Sequence, residues 1–130
     1  MKTKYTTALS LLAGVAIGAV AMQGLHAQGT KLKAYTVGEI EPVSGATLPA
    51  SYLKEVREAI TKAHGRSLRT VNGRVVAVEG SAPPKKVALI EWDSVDDAVA
   101  FYNSDAWKKL APDRDKAQRT LRRYTVETEP

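Results

Sequence analysis

Two short runs constrain this chain more than anything else in it. KAYTVGEIE, at residues 33–41, carries no charge between Lys33 and Glu39, and KVALIEW, at residues 86–92, is apolar over most of its length. A strand with one wet face alternates apolar and polar side chains, whereas a strand covered on both faces reads as a near-continuous apolar run. Lys33–Glu41 and Lys86–Trp92 therefore read as the two central strands of a sheet.

The segments between them supply the partners. Pro42 to Pro49 has turn chemistry in Ser44, Gly45 and Thr47. Ala50 to His64 reads as an amphipathic helix, with Tyr52, Leu53, Val56, Ala59, Ile60 and Ala63 on one side and charged residues on the other. Gly65 is its expected stop, and His64 sits where a cation suits the helix dipole. Arg66–Val71 and Arg74–Glu79 read as two short strands joined by Asn72-Gly73, a strong hairpin signal. After Pro83-Pro84 and the second apolar run, Ser94-Val95-Asp96-Asp97 has capping-box spacing, with Asp for the usual Glu. The helix that follows puts Val95, Ala98, Val99 and Tyr102 on one face. It restarts at Asn103-Ser104-Asp105, carries Trp107, Leu110 and Ala111, and is kinked or ended by Pro112. A polar stretch, Asp113–Gln118, leads to a last strand over Thr120–Glu127.

The N-terminal segment has a different task. No charge occurs from Tyr5 to Thr30, Lys2 and Lys4 precede that stretch, and Thr6–Met22 is rich in Ala, Leu and Gly. A more polar end, Gln23 to Ala27, completes the layout of a secretory signal peptide, with cleavage expected after Ala27 and Ala21 as second choice. Without a twin arginine, the general secretion route is expected, to the periplasm or beyond. The alternative is an uncleaved inner-membrane anchor, since Thr6–Met22 lies at the lower limit for spanning a bilayer and holds a Gly14/Gly18 pair. The domains are then 1–27, a signal peptide, and 28–130, one folded domain.

Composition narrows the function classes. The 130 residues less 27 leave 103, and the 19 basic residues less Lys2 and Lys4 leave 17 against 14 acidic, a net +3 in place of +5. That is ordinary surface charge, so no nucleic-acid partner is expected, and a membrane contact is expected only through residues 1–27 if they stay attached. The absence of cysteine excludes disulfides, thiolate metal sites, iron–sulfur clusters and thiol nucleophiles. No nucleophile elbow or phosphate loop is present, and no cofactor is expected.

Strand, helix, strand pair, strand, helix, strand is the order of an α+β, ferredoxin-like antiparallel sheet with two helices on one face, preceded here by an N-terminal signal helix. The first and third core strands are central in that topology, in agreement with the two apolar runs. Helices on one face leave the other apolar face bare, which is unfavourable by about 25 cal/mol per Å² of exposed apolar surface. Two copies packing these faces together remove it, so a homodimer enclosing a cavity is expected, a dimeric α/β barrel.

The residues also carry a resemblance. Gly65-Arg66-Ser67-Leu68-Arg69, Val78-Glu79-Gly80, Leu89-Ile90-Glu91-Trp92-Asp93-Ser94, and Ala100-Phe101-Tyr102-Asn103-Ser104 with Trp107 and Arg114 are similar to the domain of unknown function 1330 family. The resemblance spans residues 33–127 and implies the dimeric α/β-barrel superfamily, whose other families include cofactor-free monooxygenases, haem-degrading enzymes and muconolactone isomerase-like proteins. It implies a fold and a pocket position without a reaction.

Arg69, Glu91, Tyr102, Trp107 and Arg114 are the candidate ligand-binding residues. Glu91 interrupts an apolar strand, and a carboxylate there needs a partner or water. Arg69 or Arg114 could supply it, with Tyr102 and Trp107 as aromatic walls of an anion- or carbonyl-binding pocket. A structural ion pair beside two core aromatics is the alternative. Glu91 and His64 are the weak catalytic candidates. His64 could serve as a base or haem ligand, but the structural reading, a helix-end residue beside Gly65, is the favoured one. One histidine without a carboxylate cluster falls short of a metal site. Arg114, Lys116, Arg119, Arg122 and Arg123 read as a solvated basic tail. Three functions follow: a small-molecule binder, a cofactor-independent monooxygenase or isomerase-like enzyme, and a structural or interaction protein without a ligand.

Overall fold

A computed structural model describes residues 32–70 and 73–129. The expected signal segment and Asn72 of the expected hairpin turn lie outside the described residues. The chain runs β1 (Lys33–Pro42), α1 (Ala50–Lys62), β2 (Gly65–Leu68), β3 (Lys86–Trp92), α2 (Val95–Asn103), α3 (Asp105–Lys109), α4 (Ala111–Ala117) and β4 (Gln118–Thr128). The fold is α+β. Its strands form one open antiparallel sheet in the order β2-β3-β1-β4, so the two apolar runs are indeed the central strands.

Register decides which side chains meet the helices. Ala34 lies opposite Trp92, Thr36 opposite Ile90 and Gly38 opposite Ala88, so these six share one face. Ala34, Ile90 and Trp92 form the core with Ile60 from α1 and with Ala98 and Phe101 from α2. Along β1 buried and half-buried residues alternate, because none of the described helices lies over the other face, which carries Tyr35, Val37 and Glu39. β4 pairs with β1 but shifts register between Glu39 and Ile40, leaving Leu121 as an extra residue on the β4 side.

Helix ends follow local chemistry. The Ser94 hydroxyl accepts from the Asp97 N–H at 3.1 Å and donates to the Asp97 carboxylate at 2.6 Å, so the expected cap forms and starts α2. The Ser104 hydroxyl donates to the Phe101 carbonyl at 2.6 Å and accepts from the Trp107 N–H at 3.3 Å, closing α2 and opening α3 with one group. Pro112 sits in the first turn of α4, where a missing N–H costs nothing.

Four boundaries differ from expectation. α1 ends at Lys62, and His64 rather than Gly65 takes the left-handed conformation, with φ 61°. Gly65 is instead the first residue of β2, and a Cβ there would lie 2.6 Å from the Trp92 ring and 2.8 Å from Ile60, so packing demands the glycine. Arg74–Glu79 forms no strand, and β2 pairs only with β3. Apolar residues occupy four successive positions, 75–78, so neither register could bury one face alone, and Val78 is left 97% exposed. Asp113–Gln118 is not an irregular lead-in: helix α4 runs through Ala117 and β4 begins at Gln118.

Candidate functional site

The expected site residues fall on both sides of the sheet. Glu91 belongs to the bare face with Tyr35 and Arg66, its neighbours in register. Lys33 and Arg66 pair with its carboxylate, Arg66 at 2.8 Å, and the Tyr35 hydroxyl donates at 3.3 Å. These hydrogen bonds from Lys33 and Arg66 pull the Glu91 carboxyl from 4.5 to about 2. Arg69 and Arg114 are therefore not its partners, and Glu91 stands apart from Tyr102, Trp107 and Arg114. Glu39 lies on the same bare face, held by Arg122 through two bonds of 2.9 and 2.7 Å.

On the helix side the remaining residues converge. The break at Ser104 lets Tyr102 from α2 and Trp107 from α3 approach with centroids 5.1 Å apart and rings at 88°. Phe101 contacts both, at 5.2 and 5.4 Å. Over Trp107 lie two guanidinium groups, Arg114 at 4.4 Å and Arg123 at 4.8 Å from the ring centroid, and Arg123 also lies 5.2 Å from Tyr102. Only 12% of the Arg114 side chain is exposed. Its Nε bonds Asp115 at 2.9 Å, while its Nη1 is buried without a partner. Arg123 Nη2 donates to the Thr120 hydroxyl at 3.2 Å.

Burial shifts the titratable groups in the direction of neutrality. It lowers the pKa of Arg123, with Tyr102 opposing and Arg114 reinforcing the shift. It raises the Tyr52 and Tyr102 phenols, against the nearby arginines, so both remain hydroxyl donors at neutral pH.

Tyr52, Tyr102, Trp107 and Arg123, but not Arg114, border a cavity of about 380 Å³ between the sheet and α1, within the usual size for a small-molecule site. Its floor is Thr36, Gly38 and Ala88; Tyr52, Tyr102 and Trp107 form its aromatic side; Arg123 and Gln118 come from β4 and Arg69 from beyond β2. Among the described residues no Asp, Glu or His lines it. A larger groove of about 530 Å³ between α1, α2 and α3 carries both signs of charge, in Glu55, Glu58, Lys62 and Asp97 among others, and converges on nothing.

Arg69, Tyr102 and Trp107 thus line one cavity and Arg114 lies over Trp107 without lining it, whereas Glu91 and His64 stand elsewhere. His64 is exposed at the helix end, where its carbonyl accepts from the Asp93 N–H at 3.1 Å. Arg114 and Arg123 correct the expectation of a solvated basic tail. Tyr52, Gln118 and Arg123 escaped sequence reasoning; the alternation of β4 around Arg122-Arg123 was the available signal for Arg123. Among the described residues no three His, Cys, Asp or Glu side chains cluster to hold a metal ion, and no helix is long and apolar enough to cross a membrane.

The fold is shared with solved structures. Protein RPA0582 of Rhodopseudomonas palustris, of unknown function, superimposes with a TM-score of 0.54 at 12% identity, over 85% of this chain and 91% of that one. Methylated RPA0582 gives 0.53 at 11% identity, over 85% and 89%. No curated protein matches. The family model described as domain of unknown function (DUF1330) matches residues 33–127, and the chain belongs to that family.

Proposed function

We propose that this protein binds a small organic anion in the cavity between sheet and helices. The observation that carries the reading is Arg123, folded over Gly38 and lying over the Trp107 and Tyr102 rings in a cavity that no described acidic side chain lines. A guanidinium taken partly out of water without a carboxylate beside it is costly, and an anion arriving at the cavity supplies that partner. Tyr102 and Trp107 give the apolar contact that a planar ligand requires. A lining without a carboxylate or imidazole favours binding over general-base chemistry.

The same reading includes export and self-association. Residues 1–27 have the layout of a cleaved signal, and N-terminal sequencing of the processed protein should begin at Gln28; an intact Met1 would contradict cleavage. The bare sheet face carries Tyr35, Val37, Leu89, Tyr124 and Val126 between the Glu91 and Glu39 ion pairs, a surface suited to a second copy related by a two-fold axis.

The binding test uses the dialysed full chain with benzoate and with benzamide, which match closely in shape but differ in charge and in the NH2 donor that replaces one oxygen. Benzoate at 100 times its dissociation constant should stabilise the fold by about 2.7 kcal/mol. Benzamide should do little, and Arg123→Gln should remove the difference. Equal effects of the acid and the amide would overturn the reading.

A further inference from the structure

The cavity is charged at more than one point, and the sheet register shows how. Arg123 on β4 lies opposite Gly38 on β1, and Gly38 lies opposite Ala88 on β3. The chain leaves β2 with Leu68 opposite Leu89, so Arg69 comes one step further along, at the level of Ala88, and lines the same cavity. Arg69, Ala88, Gly38 and Arg123 thus make one row across the sheet, with arginines at the ends and the two smallest side chains between. Three strand spacings of about 4.8 Å separate the ends of that row at the backbone. Arg123 folds inward over the floor: a Cβ on Gly38 would lie 3.6 Å from its Nε and 3.7 Å from the Ala88 Cβ.

We propose that the cavity selects dicarboxylates over monocarboxylates, with one carboxylate held by Arg123 beside Trp107 and the other by Arg69 at the open end. This deepens the anion-binding reading above and rests on it. Arg69, Lys86 and Arg123 all line the cavity, and among the described residues no acidic side chain offsets them. One carboxylate balances Arg123 alone, whereas a second, a few carbons away along the row, balances the other end. Gly38 and Ala88 keep the floor low enough for the connecting chain to pass. Arg69 is exposed, so its contribution is screened by salt and smaller than that of Arg123.

Calorimetric titration of the full chain with glutarate and adipate, against butyrate and hexanoate, tests the proposal. At low ionic strength the better dicarboxylate should bind about fivefold tighter than its monocarboxylate, the effect of one partly screened charge-assisted contact. The ratio should shrink in 0.5 M NaCl and fall close to one in Arg69→Gln, an exposed position whose change leaves the core intact. Gly38→Val should weaken all four ligands by filling the floor, with the far-ultraviolet spectrum preserved. Equal affinities in the unmodified chain, or a preference that survives Arg69→Gln, would overturn the proposal while leaving anion binding standing. Failure of all four acids to bind would remove both readings together.

Discussion

The indole N–H of Trp92 donates to the Thr36 hydroxyl at 2.8 Å, and neither side chain reaches solvent. The same hydroxyl meets that of Thr125 at 2.7 Å, so one oxygen links β3, β1 and β4 beneath the helices. Thr36→Val keeps the shape but strands the buried indole N–H. The expected cost is about 1–3 kcal/mol. For a domain of this size that means a Tm lower by roughly 4–8 °C per kcal/mol, measured by calorimetry.

Gly65 and Gly45 separate two reasons for a glycine. At Gly65 an added Cβ strikes Trp92 and Ile60, whereas at Gly45, with φ +75°, nothing lies within 4 Å. Gly65→Ala should cost about 1–3 kcal/mol through overpacking and disturb the near-ultraviolet signal of Trp92. Gly45→Ala should cost about 1–2 kcal/mol through backbone strain alone and leave that signal untouched. Similar spectra for both variants would show the Trp92 contact to be relaxed.

The ion pairs of Glu91 predict a pH dependence. Its carboxyl is held at about 2 in the fold against an ordinary 4.5, a depressed folded-state value. The stabilisation is fully present above the ordinary value and is lost as pH falls from 4.5 towards 2. Urea midpoints measured down that range should fall less steeply in Glu91→Gln than in the unmodified chain. Parallel slopes would mean that Lys33 and Arg66 do not hold the carboxylate in solution.

Leu89 and Val37 sit side by side at the centre of the bare face. Light scattering at micromolar concentration should give twice the chain mass, and Leu89→Lys should halve it by placing two like charges near the two-fold axis. A monomer in the unmodified chain would remove the dimer from the proposed function.

Much of the architecture is legible in the sequence because burial on two faces leaves a local mark. The runs at Lys33–Glu41 and Lys86–Trp92 announce central strands, and Ser94 with Asp97 announces a helix start. The site is less legible, because its residues gain meaning only from partners far away in the chain. Glu91 is as conspicuous as expected, yet the parity of β3 turns it away from the helices, towards Lys33 and Arg66. Arg122 and Arg123 are identical neighbours with opposite fates: one pairs with Glu39 on the bare face, the other lies over Trp107 and Tyr102. Composition cannot tell them apart. The irregular course of Arg74–Glu79 was hidden for a related reason, since valines suit a strand only where one face can be buried.

The extra residue in β4 sets the phase of the whole cavity wall. In an unbroken strand, positions 118 and 123, separated by an odd number of steps, would point to opposite sides. Because Leu121 is skipped in the pairing, Gly38 faces Arg123 while Pro42 faces Gln118, and both side chains reach the same cavity. The strand thereby changes its reading frame once, midway, as a single-nucleotide insertion changes the frame of a message. Pairing Leu121 instead of skipping it would restore strict alternation at the cost of sending either Gln118 or Arg123 to the wrong side. The composition of the wall therefore depends on a residue that is not part of it.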